Sequence, residues 1–208
     1  MSQAVRVLRI PYSTNVERVA LTLAHKNLPV ESVWVDSEDR TLVRRVSGQD
    51  LVPVIDDDGA VVWDSMVIVE HLEQRYPEPP LFPKDPARRA EMRVFIDWFN
   101  RVWKRPPNLI YDELQKADPD REHIEEWGRQ ITVAMDTFED MLTGRDYLMG
   151  PELSAADVCA FPFLKYATVH DPEDQHLFHD ILIERMPMTD RHPKLAAWIR
   201  RVDARPRV

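Results

Sequence analysis

The first 46 residues alternate between two kinds of hydrophobic spacing. Apolar and basic side chains alternate over 5–10, which is typical of a half-buried strand. Apolar residues then recur at spacings of three and four over 16–24, which predicts an amphipathic helix ending at the Asn-Leu-Pro of 27–29. A second strand is predicted at 30–35, and a short polar helix near 39–46. The chain therefore opens as β-α-β-α.

Two further apolar runs flank an Asp-Gly pair. The runs are 52–55 and 60–63, and Gly59 supplies the positive φ that a tight hairpin turn requires. A last helix follows, with apolar positions at Ile68, Val69 and Leu72, and Ser65 is predicted to cap it. The order βαβαββα is too short for a doubly wound sheet. It predicts a small mixed sheet flanked by helices.

A proline-rich segment marks the predicted domain boundary. Residues 77–86 contain five prolines, which cannot continue a helix and favour an extended, semi-rigid linker. Beyond it the apolar residues recur at helical spacing, over 92–103, 124–142 and 195–202. We predict a mixed α/β domain at 1–76, a linker at 77–86 and an all-helical domain at 87–208.

Composition excludes several classes of function. The chain has 208 residues, with 36 acidic against 27 basic ones and a formal net charge of −9, which disfavours nucleic acid as a partner. The single cysteine, Cys159, allows neither an intrachain disulfide nor a cysteine-based zinc site. No apolar run has the length of a membrane helix, and the start of the chain lacks the apolar core of a secretory signal. We expect a cytoplasmic protein that does not bind membranes.

The junction between the first strand and the first helix is a candidate reactive site. Ser13 follows Tyr12 there, where unpaired N–H groups and the positive end of a helix dipole stabilise anions and thiolates. The alternative is that Ser13 only caps the helix, since serine is a common N-cap.

Two later segments have the composition of a binding site for a peptide-like ligand. Val52-Pro53 precedes a strand, where a proline with an open strand edge and a cis bond would leave backbone groups free to pair with such a ligand. Asp64 and Ser65 begin a helix, where an acid holds an ammonium group and a hydroxyl with free amides holds a carboxylate. Taken singly, each segment also fits an ordinary loop or helix cap.

In this order and with this spacing, the three segments resemble those of the cytosolic glutathione transferases, in particular serine-type, bacterial-like members. The resemblance covers essentially the whole chain and rests on Ser13–Val19, Val52–Val54, Asp64-Ser65 and Leu148–Asp157. It implies a thioredoxin-like N-terminal domain (βαβαββα) followed by an all-helical C-terminal domain. Within the last segment, the serine and aspartate of 154 and 157 have the spacing of a capping box, which is structural.

The resemblance also implies a role for each site residue. Ser13 would donate a hydrogen bond to the glutathione sulfur, with Tyr12 as the alternative donor. The backbone of Val52, next to a cis Pro53, would pair with the cysteinyl unit of glutathione. Asp64 and Ser65 would hold its γ-glutamyl end. Where many relatives have Lys or Gln for the glycyl carboxylate this chain has Leu51, so we expect either that Gln49 or Arg45 substitutes or that glutathione binds weakly.

The implied activity is conjugation of the glutathione thiolate to a small hydrophobic electrophile by a homodimer. Glutathione is then a co-substrate, and no permanently bound cofactor is expected. Trp103 and Arg105 are candidates for the electrophile pocket, since 104–107 should interrupt a helix that borders it in the family. The alternatives are a non-catalytic binding or chaperone-like protein with this fold, or an enzyme that uses another low-molecular-weight thiol.

Two other features are predicted to be structural. Five residues over 170–179 have side chains that ligate metals, but a solvated acidic loop is the preferred interpretation, and no metal site is predicted. They are His170, Asp171, Asp174, His176 and His179. Cys159 lies among apolar residues and is predicted to be a small buried hydrophobic side chain.

Overall fold

The computed structural model describes residues 3–208, which fold into two compact units. The first unit ends at Phe82 and also contains Arg205–Val208, and the second is Pro83–Ala204. Each unit has its own core. The last residues of the chain therefore belong to the unit that the first residues build.

The N-terminal unit has the predicted element order βαβαββα. Helices and strands alternate until a hairpin brings two strands together before the last helix. The elements are β1 (Val5–Arg9), α1 (Thr14–His25), β2 (Val30–Trp34), α2 (Thr41–Ser47), β3 (Val54–Asp57), β4 (Ala60–Trp63) and α3 (Ser65–Arg75). The thioredoxin-like prediction for this half of the chain is confirmed.

The four strands form one mixed sheet with the order β2-β1-β3-β4. Strand β1 pairs parallel with β2 and antiparallel with β3, and β3 pairs antiparallel with β4. The expectation of an open strand edge at Val52-Pro53 is wrong, because β3 lies inside the sheet. Both registers of β3 nevertheless end at Val54, opposite Leu8 and Trp63, so Val52 lies beyond the paired part of the strand.

Each face of the sheet has its own apolar cluster. On one face, buried residues of β1 and β3 such as Val7 and Ile55 pack with α1 and α3. On the other, Leu8 and Val54 pack with Val43 of α2. Two-sided burial explains why β1 has two consecutive apolar residues, since neighbouring side chains of a strand point to opposite faces.

The hairpin and the start of α3 are set by residues with positive φ. Asp58 (φ 57°) and Gly59 (φ 87°) form the predicted tight turn between β3 and β4. Asp64 (φ 68°) ends β4 and caps α3, its Oδ1 accepting the N–H groups of Met66 (2.9 Å) and Val67 (3.2 Å). The prediction that Ser65 caps this helix is wrong, because Ser65 is the first helical residue.

The chain that follows α3 is fixed to the first unit by a buried ion pair. Nζ of Lys26 lies 2.8 Å from Glu73 and also donates to the carbonyl of Pro79 (3.1 Å). The Glu73 carboxylate in turn accepts the N–H groups of Leu81 (3.1 Å) and Phe82 (3.2 Å). Both side chains of that pair and both apolar residues are buried. The proline-rich segment is thus bound to the first unit as far as Phe82.

The second unit is helical, as predicted. Its longest helix is α6, and a π-helical turn (Phe99–Trp103) and a 3₁₀ turn (Lys165–Ala167) extend two of the others. The α-helices are α4 (Pro86–Trp98), α5 (Arg105–Leu114), α6 (Arg121–Met141), α7 (Ala155–Leu164), α8 (Leu177–Arg185) and α9 (Pro193–Asp203).

Helix α5 was not predicted, because Pro106 and Pro107 indicated an interruption. They do follow a change of helix type, but they also lie in the first turn of a new helix. Proline is tolerated there because the N–H groups of the first turn have no partner within the helix.

Aromatic side chains fill the core of the helical unit. Trp103 stacks on Phe99 with ring centroids 4.5 Å apart, and both have edge contacts with Phe138 and Phe163. Cys159 is fully buried in the same unit, which confirms its predicted place.

The capping box at the start of α7 is confirmed. Asp157 is fully buried and accepts four hydrogen bonds, from the N–H of Leu148 (2.9 Å), the N–H and hydroxyl of Ser154 (2.9 and 2.6 Å) and Nε1 of Trp198 (2.8 Å). Burial raises the pKa of Asp157 above its ordinary value in spite of these bonds.

The segment predicted as a solvated acidic loop is exposed at His170, Asp171 and His176, but it also contains a buried polar cluster. Nδ1 of His179 lies 2.7 Å from Oδ2 of Asp174, and the Tyr166 hydroxyl donates to the same oxygen at 2.8 Å. The Tyr166 and His179 rings stack with centroids 4.4 Å apart. Asp174 and His179 are therefore buried, while His176 and Asp171 remain exposed.

Within residues 3–208 no group of three or more His, Cys, Asp or Glu side chains has the arrangement of a metal site. Over the same range, no helix has the length and apolar character needed to cross a membrane.

Candidate functional site

Ser13 is the N-cap of α1. It has extended backbone angles (φ −67°, ψ 117°), and its Oγ accepts the N–H of Val16 at 3.3 Å. The preceding residue, Tyr12, has φ 57°, so the chain turns sharply between β1 and α1. A hydroxyl that accepts from the helix still has its own proton to donate. The capping role of Ser13 and a role as a donor to an anion are therefore compatible.

The starts of α1 and α3 are joined by a buried arginine. Arg18, on the buried face of α1, donates from Nη1 to Oδ1 of Asn15 (3.3 Å) and to Oγ of Ser65 (3.2 Å). Asn15 is two residues after Ser13, so these bonds place the two predicted binding segments side by side. Two helix N-termini then lie together with a guanidinium group behind them, which makes the region favourable for an anion.

Asp64 and Ser65 offer different groups to a ligand. The Asp64 carboxylate uses only Oδ1 for its cap bonds among the described residues, and it is exposed, so Oδ2 is available to an ammonium group. The Ser65 side chain is buried and bound by Arg18. Its backbone N–H is the first of the helix and has no partner in a regular helical turn, so it is available to a carboxylate.

The peptide bond between Val52 and Pro53 is cis, as the resemblance implied. Pro53 is buried and Val52 is half-buried. Since the pairing of β3 stops at Val54, the backbone of Val52 points beyond the end of the sheet ladder. That arrangement leaves the backbone of one residue, Val52, outside the ladder and available to a peptide-like ligand.

Gln49 is committed to the loop before this segment. Its Nε2 donates to Oγ of Ser47 (2.8 Å) and to the carbonyl of Leu51 (2.9 Å), and its Oε1 accepts the N–H of Leu51 (2.5 Å). Both amide protons are thus used inside the protein. The structure gives Gln49 the role of fixing the backbone that leads into Val52, while Arg45 is exposed.

Arg40, a residue that sequence reasoning missed, has a buried unsatisfied donor. Its Nη1 has no hydrogen-bond partner within residues 3–208, although the residue is only half-buried and precedes α2. A buried guanidinium nitrogen without an acceptor favours an anion.

Asn15 and Arg18 were missed for a different reason. Both lie in the segment that carried the resemblance, but the helical pattern counted only apolar residues, and Arg18 is buried among them. An arginine on the buried face of a helix is the signal that would have identified this junction.

The two candidate pocket residues differ in exposure. Trp103 is 4% exposed and belongs to the aromatic core of the helical unit, whereas Arg105 is exposed at the start of α5. The Trp103 Nε1 is buried without a hydrogen-bond acceptor among the described residues. Its indole stands nearly perpendicular to the rings of Phe138 and Phe163.

A thioredoxin-like unit with a cis proline, followed by a separate helical unit, defines the class of the glutathione transferases. The chain belongs to this family: residues 8–80 match the family model described as the glutathione S-transferase N-terminal domain, and residues 121–201 match that of the C-terminal domain.

Several proteins are similar to this chain over nearly its whole length. Protein LigF of a Sphingobium species is 26% identical over 226 residues, which cover 90% of this chain and 84% of LigF. The crystal structure of LigF, a beta-etherase, has a TM-score of 0.78 and 25% identity, covering 98% of this chain and 96% of that one. Glutathione S-transferase GstB of Escherichia coli is 26% identical over 207 residues, covering 94% and 91% of the two chains.

A further relative shares only half of the chain. FtsZ-localized protein A of Caulobacter vibrioides is 32% identical over 107 residues, which cover 48% of this chain and 47% of that protein. The family therefore includes relatives whose names do not describe a transferase.

Proposed function

We propose that this protein is a glutathione transferase that joins the glutathione thiolate to small electrophiles. The observation that supports this most strongly is Ser13, whose hydroxyl accepts from the first turn of α1 and has a proton left to donate. Ser13 is the catalytic donor to the sulfur in this proposal, and Tyr12 is the alternative.

The energy required of this site is modest. Lowering the pKa of a thiol by two units requires about 2.7 kcal/mol of preferential thiolate stabilisation. A hydrogen bond to an anion contributes about 1.5–3 kcal/mol, and a helix dipole about 0.3–1 kcal/mol. One serine at a helix N-terminus is therefore sufficient, and no general base on the protein is needed once the thiol has ionised.

The remaining parts of glutathione have matching groups in the first unit. The backbone of Val52 pairs with the cysteinyl unit beside the cis Pro53. Oδ2 of Asp64 holds the γ-glutamyl ammonium group, and the N–H of Ser65 holds its carboxylate. Each role follows from the group that the structure leaves available at that position.

We propose that Arg40 binds the glycyl carboxylate. Many relatives use a Lys or Gln for this, at the position where this chain has Leu51. Nη1 of Arg40 is a buried donor without an acceptor among the described residues. Gln49, whose amide is bonded to Ser47 and Leu51, then acts on the ligand only by fixing the loop before Val52.

The reaction is a displacement at an electrophilic carbon. With an activated aryl chloride, the thiolate forms a carbon–sulfur bond, the carbon–chlorine bond breaks, and chloride leaves with the electron pair. The thiol proton has already passed to water. The likeness to a beta-etherase adds ethers to the electrophiles to be tested. Arg105 is the stronger of the two pocket candidates, because Trp103 is buried in the core.

We also propose that the protein is a homodimer in the cytoplasm, with a role in detoxification. Support for a dimer comes from large apolar side chains exposed on the first unit, namely Leu51, Trp63 and Val67. Sedimentation of the wild type and of Val67→Glu measures this directly, since a charge on such an interface shifts a dimer to monomer.

The rival function is that of a non-catalytic binding protein, a possibility that the partial likeness to FtsZ-localized protein A keeps open. A third candidate is an enzyme that uses another small thiol. Ser13 favours the transferase over the binding protein, because a binding protein has no need of a proton donor at the start of α1.

The test is a calorimetric titration with glutathione, followed by conjugation of an activated aryl chloride by the wild type, Ser13→Ala and Tyr12→Phe. We expect saturable binding at millimolar glutathione or below, and a loss of rate in Ser13→Ala alone. No heat at millimolar glutathione removes the proposal, and titration with other small thiols then tests the third candidate. Full activity in Ser13→Ala with a loss in Tyr12→Phe moves the donor to Tyr12.

A further inference from the structure

The last four residues of the chain lie along α1, which carries the proposed catalytic serine. Near the last turn of that helix, burial lowers the pKa of His25, and the charge of Arg205 adds to this. Near its first turn, Arg207 binds Glu17. The backbone carbonyl of Val208 accepts a hydrogen bond from Nη1 of Arg9, at the end of β1 (2.6 Å). The tail therefore follows α1 back to the β1–α1 junction.

The pair formed by Arg207 and Glu17 is well defined. Nε and Nη2 of Arg207 lie 3.1 and 3.0 Å from the same oxygen, Oε1 of Glu17. Nη1 of Arg207 donates to the carbonyl of Arg205 at 2.9 Å, which holds the guanidinium group in this orientation. The side chains are 14% and 25% exposed for Glu17 and Arg207, so water and salt screen the pair only in part.

Glu17 lies one helical turn after Ser13. Its N–H donates to the carbonyl of Ser13 at 2.9 Å, which is the first bond of the helix. Side chains on a helix lean toward its N-terminus, so the Glu17 carboxylate is directed toward the turn that begins at Ser13. An acidic residue in the first turn stabilises the helix, but its charge opposes any anion bound at the same end.

We propose that Arg207 is a positioning residue for the thiolate site: by neutralising Glu17 it lets the start of α1 keep its attraction for the sulfur anion. This inference rests on the proposed function. Arg207 acts through Glu17 and contacts no reacting atom. Arg207 lies in the C-terminal tail, outside the four segments that carry the family resemblance, so the resemblance does not imply this role.

Other charged groups also lie on the elements around α1. They are Arg6 and Arg9 of β1, Arg18 and His25 of α1, Asp64 before α3, Glu70, His71, Glu73 and Arg75 of α3, and Arg205 of the tail. Arg18 is directed to Ser65, and Glu73 pairs with Lys26 at the opposite end of α1. These groups are the same in every variant proposed below, so a difference between variants reports the Glu17–Arg207 pair.

The test measures the pH at which bound glutathione ionises, from the ultraviolet absorbance of the thiolate, in Arg207→Gln, Glu17→Gln and the double variant. In Arg207→Gln we expect the midpoint to rise by about half a unit to one unit, because the Arg207 charge no longer offsets that of the Glu17 carboxylate. In Glu17→Gln it falls, because the carboxylate no longer offsets the charge of Arg207. The double variant returns to within about 0.3 units of the wild type, and Arg207→Lys does not move the midpoint.

A merely structural role for the tail gives a different pattern. It predicts weaker binding or lower stability in both single variants, with midpoints that stay or move in the same direction, and this outcome overturns the inference. If Arg207→Gln does not fold, Glu17→Gln decides: an unchanged or higher midpoint overturns the proposal. If the wild type shows no saturable glutathione binding, the proposed function fails and this inference with it. Binding with unmoved midpoints rejects the inference alone.

Discussion

Ser13 is the N-cap of α1 in the first unit and Ser154 is the N-cap of α7 in the second, and the two serines use their hydroxyl groups differently. Ser154 donates its hydroxyl proton to Asp157 at 2.6 Å, and that carboxylate accepts three further hydrogen bonds. Among the described residues Ser13 only accepts, from the N–H of Val16 at 3.3 Å. The same residue type at the same helical position is thus saturated in one unit and has a donor left in the other.

The difference extends to the surroundings of each serine. Around Ser154 the polar groups satisfy one another inside the protein, and both it and Asp157 are buried. Around Ser13 the neighbouring cap, Asp64, is exposed and holds its helix with one carboxylate oxygen. A helix start that satisfies itself is a stabilising device, whereas one that keeps donors and acceptors in reserve is available to a ligand.

The largest effect is expected at the start of α7, where the polar groups are all hydrogen-bonded to one another. Asp157→Ala leaves the donors of Leu148, Ser154 and Trp198 without their acceptor inside the protein, and we expect the free energy of unfolding to fall by about 3–5 kcal/mol. Urea unfolding followed by circular dichroism measures it. Asp112→Ala, at an exposed position of α5, is the matched control and should change the value by less than about 0.5 kcal/mol. If both variants lowered the free energy of unfolding equally, the hydrogen-bond network around Asp157 would have no particular stabilising role.

The two serines themselves form the second test. Ser13→Ala removes the hydrogen bond to the sulfur, worth about 1.5–3 kcal/mol, so conjugation should slow by about 10- to 150-fold. Ser154→Ala should leave the rate of the folded protein within about twofold, and lower the free energy of unfolding by about 1–2 kcal/mol. Steady-state rates and urea unfolding are measured on both variants. A loss of rate in both would mean that Ser13 acts only as a cap.

The fold was predictable because its signals are local. Periodicity alone separated β1 from α1, and the Asp58-Gly59 turn and the capping box at Ser154 and Asp157 each depend on residues a few positions apart. Local signals also caused the failures. Pro106 and Pro107 indicated an interruption but begin α5, and the acidic residues near 174 concealed α8.

The site was predictable only in its segments, not in the contacts between them. The bond from Arg18 to Ser65 spans 47 residues, and that from Arg207 to Glu17 spans 190. No periodicity or motif reports such contacts, because they exist only once the sheet and the two helices have formed. For the same reason the sequence placed Val52 at an open edge, whereas β3 lies inside the sheet and only its pairing ends there.

A smaller effect is expected from the buried cluster around His179, whose polar side chains are hydrogen-bonded to one another inside the helical unit. Burial lowers the pKa of His179 from its ordinary value of 6.5, and the nearby Asp174 does not offset this. Between that value and the lowered one, the unfolded chain binds more protons than the folded one. The free energy of unfolding should therefore fall as the pH is lowered through this window.

His179→Gln should reduce this pH dependence, and urea unfolding at several values between pH 7 and pH 5 measures the slope. His25, whose pKa burial also lowers, contributes in the same direction, so part of the slope should remain. His176→Gln is the comparison: its exposed ring contacts that of His179, and its charge helps to lower the pKa of His179, so the slope should fall by less than in His179→Gln. An unchanged slope in His179→Gln would assign the acid sensitivity elsewhere.

The smallest expected effect concerns the donors and acceptors held in reserve near Ser13. Asp64→Asn keeps a side chain that caps a helix and tolerates φ 68°, but it removes the charge proposed to hold the γ-glutamyl ammonium group. We expect unchanged stability and a glutathione Kd that rises about fivefold, as for an exposed ion pair, measured by calorimetry. Asp58→Asn is matched in charge change, in exposure and in its positive φ of 57°, and should leave the Kd unaltered. Equal weakening in both variants would attribute the effect to net charge, and Asp64 would then act only as the cap of α3.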